Sequence, residues 1–67
     1  MRTWRVADVR GYLEANDAVG PAQHLSDNAV DGNDFMELTT ETLVRDLRLS
    51  NFAARKVLRL RDAVLTG

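Results

Sequence analysis

Residues 50–65 read Ser-Asn-Phe-Ala-Ala-Arg-Lys-Val-Leu-Arg-Leu-Arg-Asp-Ala-Val-Leu. Ala53, Val57, Leu60 and Val64 recur at i, i+4, i+7 and i+11, the spacing of one face of an α-helix. Leu58 and Leu65 lie about 100° round from that stripe and widen the face expected to be buried. Ser50 or Asn51 stands where a short polar side chain caps the first free N–H groups. Arg61 falls between the two apolar rows, so its stem is expected to pack while its guanidinium reaches water. A helix with so broad an apolar face needs other elements to cover it.

Upstream, the same period returns in shorter pieces. Thr39 or Thr40 caps a fourth helix, with Glu41 in its first turn and Leu43, Val44 and Leu47 turned inward. Asp31, before Gly32-Asn33-Asp34, caps a third helix of one to two turns bearing Phe35, Met36 and Leu38. Gly20-Pro21 reads as a turn with proline at the first position of a second helix, which carries Leu25 inward and ends near Asn28. Val6, Val9 and Leu13 define a first helix from about Val6 to Ala15. No stretch shows the period of two that a half-buried strand needs. The reading is all-α: a compact five-helix bundle with a long C-terminal helix, one domain over residues 1–67 with its core at about 4–65.

Size and composition exclude much. A chain of 67 residues has room for one small core, which supplies about 3–5 kcal/mol of net stability. There is no cysteine, so neither a disulfide nor a thiolate metal site contributes. That absence suits a reducing compartment, and a cytoplasmic or nuclear location is expected. The apolar runs are far too short to span a membrane. The single histidine, His24, sits in a polar surrounding with no Ser/His/Asp set around it. The glycines are scattered, with no phosphate-cradling loop, and Asp27 to Gly32 lacks the spacing and terminal glutamate of a calcium loop. No catalytic residue, metal, cofactor or small-molecule substrate is expected; the chain reads as a binding module rather than an enzyme.

The net charge of −1 conceals a strong polarity. Residues 1–11 carry +2, residues 12–46 carry −7, and residues 47–67 carry +4. Arg45 is the only arginine or lysine between Tyr12 and Asp46. Carboxylates favour helix N-termini, which accounts for Asp31, Asp34 and Glu41 but not for the missing bases. Unbalanced like charge costs stability unless something uses it.

The order of motifs resembles the sterile alpha motif, or SAM, domain. Trp4 before the first helix, Val9-x-x-Tyr12-Leu13, and Asn28-x-Val30-Asp31-Gly32 come first. Phe35 to Leu43 is similar to that family's "LLxLTEEDL" segment. Leu47-Arg48-Leu49, with Ala53-Ala54-Arg55-Lys56-Val57-Leu58, is similar to its "LGI…GHRxKIL" ending. The likeness covers residues 4–65. There are departures: Arg5 replaces the usual Ser/Thr cap, with Thr3 as a partial substitute. Ala22-Gln23 replaces the aromatic of helix two, thinning that side of the core. Arg48 and Ala53 replace glycines.

The resemblance implies a protein–protein interaction module, a signalling scaffold associating with itself or another SAM domain. Its mid-loop face would hold Asp27, Asp31, Asp34, Glu37 and Glu41; its end-helix face would hold Leu49, Phe52, Arg55, Lys56 and Arg59. Phe52 has a plainer reading as a plug beneath the turn. Different faces docking head to tail build open chains unless the rotation closes a ring. An alternative in the same family is RNA stem-loop binding through bases near helix one and the start of helix five, Arg10, Arg55 and Lys56. The acidic middle disfavours a nucleic-acid partner.

Overall fold

The computed structural model describes residues 2–66, and among them the only regular secondary structure is helical. Helix α1 (Val6–Ala15) has the expected bounds and buries Val9 and Leu13. Its cap is not the one expected. Neither the Arg5 nor the Thr3 side chain caps it; instead the Asp8 carboxylate reaches back to accept the Arg5 N–H at 2.9 Å. That is the acidic half of a capping box, and it favours the positive end of the helix dipole. The chain leaves α1 through Asp17, which is left-handed at φ 63°, and the Ala18 N–H closes onto the Leu13 carbonyl at 2.9 Å.

Helix α2 (Val19–Asp27) starts two residues earlier than expected. Pro21 therefore occupies the third helical position rather than the first. It is still in the first turn, where its missing N–H forfeits no intrahelical bond. Ala22 and Leu25 are fully buried, so the small residue in place of an aromatic still packs against the core. Helix α3 (Gly32–Met36) is capped as expected: Asp31 Oδ1 accepts from the Asp34 N–H at 3.0 Å. The Gly32 N–H donates to the Trp4 carbonyl at 2.9 Å, which pins the N-terminal segment across α3. Trp4 in turn meets Tyr12 edge to face at 5.5 Å.

The fourth segment departs from its expected form. Thr39 does cap it, its Oγ1 accepting from the Thr42 N–H at 3.2 Å, but Thr42–Asp46 is wound as a π turn. The Leu47 N–H reaches back to the Thr42 carbonyl and the Leu49 N–H to the Leu43 carbonyl, at 3.2 and 3.0 Å. Leu43 and Leu47 are buried as expected, with Val44 half-buried. Arg48 then turns the chain at φ 58°, a conformation glycine takes without strain.

Helix α4 (Asn51–Thr66) is the fifth and longest helical segment. Ser50, rather than Asn51, caps it, with Oγ accepting from the Ala53 N–H at 3.1 Å. Its inward face is centred on Ala54 and Val57, both fully buried, while Ala53, Leu58 and Leu60 pack at the margins. Two expectations fail here. Leu65 is 50% exposed instead of widening the buried face. Sixteen residues rise about 24 Å, which matches the 25 Å longest extent of the molecule, so the last turn reaches its rim. The Arg61 guanidinium turns mostly inward instead of out to water. It donates to the carbonyl oxygens of Met36 and Leu38 at 3.1 and 2.9 Å, satisfying groups at the end of α3. The Tyr12 hydroxyl ties α1 to α4 by donating to the Leu60 carbonyl at 2.7 Å. None of these helices is long and apolar enough to cross a membrane.

Candidate functional site

The start of α4 carries the basic face. Ser50 fixes where the helix begins, and that phase decides which side chains point outward. Phe52, Arg55, Lys56 and Arg59 follow at helical spacing and line one shallow hollow of about 290 Å³. Phe52 is 80% exposed, which rules out its reading as a plug beneath the turn. Leu49 is the opposite case. It lies 7% exposed within the core, so it supports this face from below and has little surface to offer a partner. Lys56 is half-buried and donates from Nζ to the Asp17 carbonyl at 2.9 Å, strapping the helix to the turn between α1 and α2.

A second hollow, about 360 Å³, opens between the end of α2, helix α3 and the π turn. Val30, Leu38 and Leu47 contribute its apolar wall, Asn28 and Thr42 its neutral polar part, and Asp34 and Glu37 its carboxylates. Of the five acidic residues expected on the mid-loop face, only these two line it. Asp27 accepts from the Gln23 side-chain amide at 2.8 Å, Asp31 is occupied in capping α3, and Glu41 pairs with Arg45 at 2.8 Å. Nothing in the sequence marks the apolar wall as a binding surface. Leu38 and Leu47 read in sequence as core residues, and they are core residues, each leaving 7–8% of its surface at the hollow's edge.

No protein-family model matches the sequence, and no curated protein sequence matches it either. Among solved structures, one described as the hetero SAM domain structure of Ph and Scm is similar over 96% of this chain and 98% of that one. The TM-score is 0.89 at 23% sequence identity. The chain has the SAM-domain fold.

Placed on the SAM fold, the two hollows share no lining residue and carry opposite charge. The basic one presents a single large exposed aromatic; the acidic one presents a depression with apolar walls. Neither encloses the deep, water-excluding cleft that small-molecule sites use. A surface of this kind is suited to another protein surface of complementary shape and sign.

Proposed function

We propose that the chain is a SAM–SAM association module, not a catalyst, and that copies join head to tail. Phe52 of one copy enters the hollow walled by Val30, Leu38 and Leu47 of the next. Arg55 and Arg59 then lie against Asp34 and Glu37. The observation that carries this reading is the 80% exposure of Phe52 on a domain whose remaining aromatics pack inward or against each other. An exposed aromatic ringed by bases is a natural anchor, because burying it supplies affinity while the charges supply speed and orientation. The solved neighbour is itself described as a hetero SAM domain structure, which supports SAM-domain partners in general. Each docking leaves one face of each kind free, so the assembly grows by heterologous contacts. A single contact of this size is weak, and multivalency makes it useful.

Protein association is favoured over RNA binding by how the bases are engaged. Arg10 is held by Glu14 and Gln23, both at 3.3 Å, and Lys56 by the Asp17 carbonyl. Two of the three bases that a stem-loop reading needs are therefore already partnered within the chain.

Light scattering against concentration and salt tests the proposal. The wild-type mass should grow with concentration, and added salt should shrink it. Arg55→Glu and Asp34→Lys should each be monomeric alone, yet form a dimer and nothing larger when mixed. A wild type that stays monomeric at high concentration and low salt overturns self-assembly.

A further inference from the structure

We infer that partner choice at these faces is set by four charges alone: Arg55 and Arg59 on one, Asp34 and Glu37 on the other. This inference rests on the head-to-tail reading above and names what makes it selective. Its first support is the intramolecular bonding of the other candidates. Glu41 is paired with Arg45, Asp27 accepts from the Gln23 side-chain amide, Asp31 accepts from the Asp34 N–H, and Lys56 donates to the Asp17 backbone carbonyl. Glu41 with Arg45 presents a dipole to an incoming partner; Asp27, Asp31 and Lys56 keep their charge but are held to neutral groups. Recruiting any of the four means breaking one exposed bond to make another. Such an exchange yields little. Among the described residues, the side chains of Arg55, Arg59, Asp34 and Glu37 make no salt bridge or hydrogen bond.

The second support is their spacing. Arg55 and Arg59 stand at i, i+4 on α4, and Asp34 and Glu37 at i, i+3 across the end of α3. Like charges at these separations repel and cost the free chain stability. Glu37 adds to this, since a carboxylate at the C-terminal cap opposes the helix dipole. Docking two bases against two carboxylates relieves both repulsions together. Each pair also borders an apolar element, Phe52 on one side and the Val30, Leu38 and Leu47 wall on the other, where contact excludes water and strengthens the attraction. Lys56, by contrast, is a positioning residue: it fixes the first turns of α4 and so the direction of Phe52.

Association constants for single neutral variants, measured at two salt concentrations, test the assignment. Arg55→Gln, Arg59→Gln, Asp34→Asn and Glu37→Gln should each weaken association about two- to fivefold and flatten its salt dependence. Asp27→Asn, Asp31→Asn and Glu41→Gln should stay within about twofold of wild type. Lys56→Gln should keep the wild-type salt dependence and lower the melting temperature. The stringent form exchanges all four signs in one chain, with Asp34→Lys, Glu37→Lys, Arg55→Glu and Arg59→Glu. That chain should associate with itself and not with the wild type. If it joins wild-type chains freely, or if Glu41→Gln weakens association as much as Glu37→Gln, the four-charge assignment falls while head-to-tail docking stands. A monomeric wild type removes both. Should the four-fold variant fail to fold, the neutral series decides the matter without it.

Discussion

Arg61 lies 25 residues beyond Met36 in the chain, yet its guanidinium donates to the Met36 carbonyl at 3.1 Å and, from the same nitrogen, to the Leu38 carbonyl at 2.9 Å. A five-residue helix leaves most of its carbonyls without intrahelical partners, and α3 resolves this by borrowing a cation from α4. The Arg61 side chain is only 15% exposed, so these bonds form away from bulk water. Arg61→Met should preserve the packed stem and orphan both carbonyls, costing about 2 kcal/mol. Urea denaturation measures it. Arg61→Lys should recover part of the loss, because an ammonium can still donate but lacks the planar fork. A full recovery by methionine would show that the stem, not the bonds, holds α3 in place.

Gly11 sits in the middle of α1, and a Cβ built there meets no atom within 4 Å. Glycine in a helix interior costs about 0.5–1 kcal/mol relative to alanine, through the backbone freedom of the unfolded chain. Gly11→Ala should stabilise the domain by about that amount and leave association untouched. Thermal melts combined with light scattering check both halves of the statement.

Arg48 and Ala29 hold left-handed backbone at φ 58° and 54° with ordinary side chains. The left-handed region costs an L-residue about 1–2 kcal/mol, part of which glycine forfeits by gaining freedom when unfolded. Arg48→Gly should therefore stabilise the chain by about 0.5–1 kcal/mol, raising the melting temperature by several degrees in a domain of this size. Ala29→Gly should act similarly. Because Arg48 lines neither hollow, its replacement should not change the association constant. A coupled change would mean that the Thr42–Ser50 segment transmits strain between the two faces.

Much of the fold was legible because helical period and capping chemistry are local properties. Asp31, Thr39 and Ser50 cap where short polar side chains ahead of apolar stripes said they would. What escaped depends on where distant elements lie. The sequence places Pro21 at a helix start because nothing local distinguishes first from third position in an opening turn. Periodicity puts Leu65 on the buried face because it carries no information about where the neighbouring helices stop. The acidic face read as five equivalent carboxylates; three of them turned out to be held by Gln23, the α3 backbone and Arg45, and only folded geometry reveals that. The apolar wall of the acidic hollow is invisible in sequence for a simpler reason. Residues such as Leu38 and Leu47 serve the core and the surface at once.

The two phenylalanines make the sharpest comparison. Phe35 is completely buried and is the largest side chain with no exposure, whereas Phe52 is 80% exposed. Phe35→Ala removes a full ring from the centre of the core and should cost about 3–5 kcal/mol. That is comparable to the whole net stability of so small a domain, so the variant should lose cooperative unfolding at room temperature. Phe52→Ala should change stability by less than about 0.5 kcal/mol, because the ring makes little burial to lose. Its effect should appear in assembly instead: light scattering should find a folded monomer even at low salt, where charge attraction is strongest. The same variant mixed with Asp34→Lys should form a dimer and nothing larger, since the intact Phe52 face of the Asp34→Lys chain docks on the intact acidic hollow of the Phe52→Ala chain. Retained self-association by Phe52→Ala would assign the affinity to charge alone, against the weakness of exposed ion pairs.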